Sequence, residues 1–273
     1  MPFSFIETKN KAAPDYPYLL FDAINLIARS HFHQEIEITE IVSGEITVIR
    51  DGQKLLLHQG DILVIMPEEI HSYLPSESHV HVMKLHAQHS LEQTDLSQLR
   101  IPTVLSPDSH LGQVIHLAIE EIQRENEQRL TGYGFAISQN CSYILREILR
   151  SDLCVRRAQS EQKKHNVSMT VLETVHGYIR AHYTEPISLD VIASVCGLSP
   201  YYFAHLFKES TGTTFFNYLT AYRCDKATAL LLSERKSMID VALSCGFSDV
   251  RAFNRAFKRI YGQTPSEYRN QIH

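Results

Sequence analysis

The segment Ala193-Ser194-Val195-Cys196-Gly197-Leu198-Ser199 returns further along the chain as Ala242-Leu243-Ser244-Cys245-Gly246-Phe247-Ser248. After one extra residue the match resumes. Phe203, Phe207, Lys208, Gly212 and Thr214 align with Phe253, Phe257, Lys258, Gly262 and Thr264. A period of about 50 residues suits repeated supersecondary units, but two copies are too few for a solenoid.

Each copy reads as helix, tight turn, helix. In the first, Leu189, Ile192, Ala193 and Val195 recur at helical spacing. Gly197 falls where a helix must end in a left-handed residue. Ser199 stands at an N-cap position with Pro200 at the first helical residue. Phe203, Leu206 and Phe207 form the buried stripe of the second helix. In the second copy Ile239, Val241, Ala242 and Leu243 lead to Gly246. Ser248 or Asp249 then caps a helix that buries Phe253, Ala256 and Phe257. A single match of this kind is usually an αα-hairpin that merely packs. Two copies with the same turn and the same Phe-Lys ending point to paired helix-turn-helix units, each sending its second helix into the DNA major groove.

The signature is specific. It runs Ile187-Ser188-Leu189-Asp190, Cys196-Gly197-Leu198-Ser199, Tyr202-Phe203, Leu206-Phe207-Lys208 and Thr211-Gly212. It continues with Gly246-Phe247-Ser248, Phe253, Arg255, Phe257-Lys258 and Gly262-Gln263-Thr264-Pro265-Ser266-Glu267-Tyr268-Arg269. Residues 168–272 thereby resemble the DNA-binding domain of the AraC/XylS family of bacterial transcription regulators.

The remainder is consistent with a two-domain regulator. At 273 residues, 44% hydrophobic and 21% charged, the chain can bury two cores. No apolar run has membrane-spanning length, and the N-terminus shows no signal-peptide pattern. Cys141, Cys154, Cys196, Cys224 and Cys245 lack paired spacing, as expected of a cytoplasmic protein whose cysteines act as small hydrophobes. The net charge of −5 is uneven. From Asn166 onward there are 11 Lys and Arg against 9 Asp and Glu; the preceding residues hold 15 against 22. An acidic half joined to a mildly basic one suits a sensor joined to a DNA binder.

Residues 1–20 read as an extended arm. Residues 21–90 read as short strands: Val48–Arg50 runs into the hairpin signal Asp51-Gly52, Ser43-Gly44 and Gln59-Gly60-Asp61 mark turns, and Ile62–Ile65 and Val80–Leu85 are apolar or alternating runs. Many short strands argue a sandwich or barrel. His31 and His33 share one side of a strand, Glu37 follows on that side, and Gly44, Gly60-Asp61, Pro67 and His71 come later. This resembles the two motifs of the cupin barrel. Glu68-Glu69 depart from it, standing where a glycine-containing turn is usual. His31, His33, Glu37 and His71 are a candidate set for Zn, Mn, Fe or Ni. The alternative is that they line the barrel and contact a ligand without metal. His79, His86 and His89 read as sheet-lining or solvated histidines.

Residues 109–152 switch to helical period. Leu111, Val114, Ile115, Ala118 and Ile122 form one stripe; Phe135, Ile137, Cys141, Ile144, Leu145, Ile148 and Leu149 form another. This helix pair either caps the barrel or, as the resemblance implies, forms a two-fold homodimer interface. Residues 153–167 are polar and read as a flexible linker. The expected fold is α+β and multidomain: a cupin-like sensor barrel over 1–108, a helical dimerisation segment over 109–152, the linker over 153–167, and an all-α domain with two helix-turn-helix units over 168–273.

In the first unit Tyr201, Tyr202, Ala204, His205 and Lys208 remain for DNA once the core positions are assigned. The family pattern places Tyr201, Ala204 and His205 toward the bases. In the second unit Val250, Arg251, Asn254 and Arg255 point outward, Arg255 matches a base-reading position, and Lys258 ends the helix. Arg binds guanine bidentately, whereas Ala204 offers only methyl contact, so the second unit should read bases more strongly. Ser188 and Ser237 suit helix caps or phosphate contacts.

The expectation is a non-enzymatic, sequence-specific regulator of promoter DNA with RNA polymerase as a further partner. The resemblance implies a small effector, a sugar or related metabolite first, held by His31, His33, Glu37, Arg50, His71 and His81. The alternative is a metal-dependent cupin enzyme fused to a DNA-targeting domain.

Overall fold

The computed structural model describes residues 18–86, 95–233 and 236–270. Most of the expected N-terminal arm, and His89, lie outside the described residues. The N-terminal half contains β1 (Tyr18–Ile24), β2 (Ala28–His31), β3 (Ile36–Arg50), β4 (Gln53–His58), β5 (Ile62–Ile65), β6 (His71–Tyr73) and β7 (Ser78–Leu85) in one sheet. The long β3 curls it. Its first half pairs β5 and β7 and its second half pairs β4 and β6, all antiparallel. Ser43-Gly44 is therefore no turn. It sits at a shift in register between Ile41 and Ser43 that lets one strand serve both halves of the sheet. The Asp51-Gly52 hairpin forms as expected, with both residues at positive φ and Arg50 opposite Gln53.

Alternation sorts the side chains into two layers. Ile41, Ile46, Val48, Leu57, Leu63, Val80 and Val82 fill the inside of the curl. Tyr18, Ile36, Ile38, Val64, Met83 and Leu85 face outward and are covered by α1 (His110–Gln128) and α2 (Tyr133–Arg150). The apolar stripes of these helices are thus part of the barrel core. Ile115, Ile122, Ile144 and Ile148 are all 0% exposed. The stripes expected to face a second subunit cover the outer face of the sheet instead. Leu117, Phe135 and Tyr143 are the apolar residues α1 and α2 leave exposed.

The region expected to be a flexible linker is ordered. β9 (Val155–Arg156) pairs with β8 (Leu99–Arg100). Helix α3 starts at Gln159 and continues unbroken to His182 inside the DNA-binding half. Polarity misled here because Gln, Glu and Lys are good helix formers. Glu161 accepts from the Ala158 N–H at the helix start. Arg157, its side chain 4% exposed, binds Asp51 at 3.0 Å and Glu69 at 2.8 Å, pinning the helix start to the sheet.

The C-terminal half is α3 followed by α4 (Leu189–Val195), α5 (Pro200–Thr211), α6 (Phe215–Ser233), α7 (Met238–Ser244), α8 (Val250–Tyr261) and α9 (Pro265–Asn270). Phe203, Phe207, Phe215 and Tyr218 centre one core, and Phe253, Phe257, Tyr261 and Tyr268 the other. Among the described residues no helix is long and apolar enough to cross a membrane.

Because Ile144 is fully buried, Ile144→Ala should cost roughly 2–5 kcal/mol of stability without changing oligomeric state. Phe135→Ala, at an 86% exposed position, should leave monomer stability within ~0.5 kcal/mol. Chemical denaturation and sedimentation check both; a folded monomer released by Ile144→Ala would restore that stripe as an interface.

Candidate functional site

Two sites emerge, one in the barrel and one on the helices. In the barrel, β2 and the residues after it supply His31 and His33, β3 supplies Glu37, and β6 supplies His71, which is directly opposite His31. Their ligand atoms all lie within 4.8 Å of one another. The local backbone fixes each ring. His31 Nδ1 lies 2.7 Å from the Arg29 carbonyl, His33 Nδ1 3.1 Å from Glu35 O, and His71 Nδ1 2.8 Å from Glu69 O. A carbonyl can only accept, so each Nδ1 carries the proton and each Nε2 is left as the outward nitrogen. His71 Nε2 is buried without a hydrogen-bond partner.

Glu37 is 2% exposed and sits where these nitrogens meet. Tyr73 donates to its Oε1 at 2.5 Å; Lys84 Nζ lies 3.0 Å and His33 Nε2 3.1 Å from Oε2. Burial alone would raise its pKa. His71 and His33, 3.5 and 3.1 Å away, and the Lys84 ammonium outweigh burial and hold the carboxyl well below its usual range. Burial and then His71 push His31 well below the ordinary imidazole value, so it is neutral with a free lone pair. Burial and the Glu37 charge raise Tyr73, keeping it a donor. The donor set, three oriented imidazoles with one orphaned Nε2 and an ionised carboxylate, fits a divalent ion.

The substitution of Glu68-Glu69 for a glycine turn does not displace His71. Glu68 adopts φ +67° itself, a strained choice for this residue. Its N–H donates to His33 O at 2.8 Å, and Gln34 donates to its carboxylate at 3.1 Å.

Two residues expected in this cavity lie elsewhere. Arg50 donates to the Ile101 and Pro102 carbonyls at 2.7 and 2.6 Å, fastening the segment after the sheet. His81 is on the outer face, because it alternates with buried Val80 and Val82. Tyr73, Thr39 and Lys84 pack into the cluster in their place. Thr39 and Tyr73 hydroxyls are 2.6 Å apart. Thr39 is two residues after Glu37 and so on its side of β3, which is the signal that could have found it.

Strand β2 is the edge of the sheet, and the DNA-binding half covers it. Arg29 pairs with Asp225 and lies over the Tyr222 ring at 4.6 Å. Ser30 Oγ donates to Thr211 O at 2.9 Å, and Tyr218 donates to the Ser30 carbonyl at 3.0 Å. The Asp51-Gly52 tip meets the end of α5 so closely that a Cβ at Gly52 would stand 1.7 Å from the Glu209 carbonyl oxygen. Two clefts open along this junction, one of about 380 Å³ bordered by Arg50, Glu69, Arg157 and Lys164, the other of about 320 Å³ bordered by Ala28, Tyr73, Thr211 and Tyr218.

On the helices, Ser199 and Asp249 cap α5 and α8 by accepting from Tyr202 N and Ala252 N. Gly197 and Gly246 take φ +68° and +80° in the two turns. Both units therefore present the start of their second helix. Tyr201, Tyr202, His205 and Lys208 are exposed on α5 and Ala204 is half-buried; Arg251, Asn254, Arg255 and Lys258 are exposed on α8 and Val250 is half-buried. Arg251, Arg255 and Lys258 form no ion pair within 4 Å among the described residues, whereas His205 lies 3.7 Å from Glu209. Ser188 and Ser237 cap α4 and α7. Arg223 on α6 donates to the Tyr183 and Glu185 carbonyls.

Residues 192–271 match a family model described as a helix-turn-helix domain, and residues 25–85 match one described as a cupin domain. The chain is 28% identical over 187 residues to the probable transcriptional regulator LumQ of Photobacterium leiognathi, covering 68% of this chain and 70% of that one. It is 34% identical over 111 residues to the transposon Tn10 TetD protein of Escherichia coli, covering 41% and 80%. Among solved structures, the C-terminal domain of the response regulator yesN of Fusobacterium nucleatum aligns at 34% identity and a TM-score of 0.34, over 36% of this chain and 96% of that one.

The oriented donor set of the barrel predicts that His33→Ala lowers the divalent metal bound per chain by one equivalent, measured by elemental analysis after equilibrium dialysis. Equal metal content in wild type and variant would leave the four residues as contacts for an organic effector alone.

Proposed function

The chain belongs to the AraC/XylS family of DNA-binding transcription regulators and carries a cupin-type domain, and from that premise we propose a promoter-specific regulator whose DNA affinity is set by a small metabolite held in the barrel. The observation that carries this reading is the double use of β2. His31 belongs to the polar cluster, while Arg29 and Ser30, two residues and one residue before it, hold α6 and the end of α5. A ligand that repositions His31 acts on the dock directly. It changes DNA binding to the extent that it prefers the docked or the undocked arrangement.

The cluster supplies imidazole lone pairs, the Tyr73 and Thr39 hydroxyls, the Lys84 ammonium and the Glu37 carboxylate. Donors and acceptors packed together suit a polyhydroxylated ligand such as a sugar better than an apolar one. If His31, His33, Glu37 and His71 hold a metal, it supplies a Lewis-acidic anchor for ligand oxygens. The role is binding rather than turnover, and the ligand remains unchanged. A homodimer on two DNA half-sites and contact with RNA polymerase complete the proposal.

On DNA, α8 dominates. It carries Arg251, Arg255, Lys258 and Arg259 and no acidic residue, whereas α5 carries Lys208 against Glu209. With α6 as a rigid spacer the two helices enter successive major grooves, about 34 Å apart.

Arg255→Ala should weaken cognate binding by roughly 1–3 kcal/mol and relax preference at one base pair. Lys258→Ala should weaken all sequences alike and lower the salt slope by about 1. Anisotropy titrations at several salt concentrations separate the two; an equal loss on cognate and random DNA for Arg255→Ala would remove its base-reading role. Gly52→Ala, which forces a clash at the dock, should bring the DNA affinity of the full chain to that of residues 159–273 alone. Unchanged affinity would show that the dock does not restrain the DNA-binding half.

A further inference from the structure

On the opposite face of the sheet from the barrel cluster lies a second group of metal-capable side chains. Asp22 on β1, His81 on β7 and Glu40 on β3 stand in one row, since Asp22 and Glu40 are both register partners of His81. His79, two residues before His81, lies on the same side. His79 Nε2 is 3.6 Å and His81 Nε2 3.1 Å from the same oxygen, Asp22 Oδ1. All three ligand atoms lie within 4.8 Å of one another. On a tetrahedral zinc, neighbouring ligand atoms stand roughly 3.4 Å apart, so only small side-chain shifts separate this arrangement from a bound one.

The support behind these ligands is already built. Glu40, 5% exposed, receives His81 Nδ1 at 2.9 Å on one oxygen and His116 of α1 on the other. A carboxylate on the far nitrogen is what fixes the tautomer of metal-binding histidines and raises their basicity. It turns His81 Nε2 toward Asp22, and the Gln123 amide, 3.1 Å from that ring nitrogen, donates to its lone pair. A cation between His81 Nε2 and Asp22 Oδ1, 3.1 Å apart, would take that lone pair in place of the Gln123 N–H and balance the carboxylate.

We propose that His79, His81 and Asp22 form a surface zinc site with Glu40 and His116 as its support, distinct from the barrel cluster. Three protein ligands, with Asp22 exposed and His79 half-buried, leave a fourth position for water, the form of an open zinc site. Nitrogen and oxygen donors at tetrahedral spacing favour zinc over calcium or magnesium, which prefer more oxygens. Occupancy would tie the edge strand β1 to β7 and, through Glu40 and His116, to the helix that covers the sheet.

The test is zinc titration of the full chain by calorimetry, with cobalt absorption as a second readout of tetrahedral geometry. Asp22→Asn, at a position 63% exposed in its side chain, and His79→Ala cannot easily unfold the protein. Each should remove one zinc equivalent and its share of the zinc-dependent rise in Tm, separately from the equivalent His33→Ala removes at the barrel, so that Asp22→Asn combined with His33→Ala loses one equivalent more than His33→Ala alone. Circular dichroism verifies the fold of every variant. Retention of the full zinc equivalent in Asp22→Asn and His79→Ala would overturn the site. So would wild-type protein that binds zinc only through His33, or not at all, in which case a protonated His81 simply bridges Asp22 and Glu40.

Discussion

The hydrogen bonds between the Ser30 backbone and side chain and the α5–α6 corner are the constraint on which the rest of the structure depends. An edge strand exposes unpaired carbonyls and N–H groups. Here that liability is covered by the other domain: Tyr218 donates to the Ser30 carbonyl, and the Ser30 hydroxyl reaches Thr211 O. The Tyr218 hydroxyl is also in contact with His176 of α3. The same four-residue strand ends at His31, inside the polar cluster of the barrel. The barrel and the DNA-binding half are thus joined directly at this strand.

Arg157 gives the second attachment. Its buried guanidinium joins the β3–β4 hairpin and the loop before β6 to the start of α3. Removing one member of a buried pair leaves a charge without compensation, at a cost of roughly 3–5 kcal/mol. With the hairpin tip wedged against Glu209, the two attachments hold the first helix-turn-helix unit more firmly than the second. Among the described residues the second unit, which carries the stronger cationic face, has no comparable contact to the sheet beyond the cleft wall at Arg259 and Ile260. The unit with the stronger cationic face is thus the freer of the two.

Much of this was legible in the sequence because the signals were local. Turn glycines, N-cap residues and the Phe stripes of α5 and α8 depend on neighbours within a few residues. His31 and His33 with Glu37 were readable because strand period is two. What failed was what depends on tertiary partners. Alternation cannot say which side of a curled sheet is inside, so His81 was assigned to the cavity although it faces α1. Arg50 has cavity-compatible parity, but its long side chain is taken by the Ile101 and Pro102 carbonyls. An amphipathic stripe shows that a helix buries one face and not what covers it, so Ile144 and Ile148 looked equally suited to a second subunit. The polar run after residue 152 looked loose because composition does not reveal that Arg157 finds the buried Glu69 and the half-buried Asp51.

The central claim, that the barrel cluster and the DNA-binding half are coupled through β2, is tested most directly by amide hydrogen exchange. The comparison is between wild type and Glu37→Gln, a change confined to the cluster. The account predicts faster exchange in α6 around Tyr218–Asp225 and at the end of α5, with exchange in α8 unchanged as the internal control. Identical exchange at α5 and α6 in the two proteins, with faster exchange confined to the strands around Glu37, would contradict it.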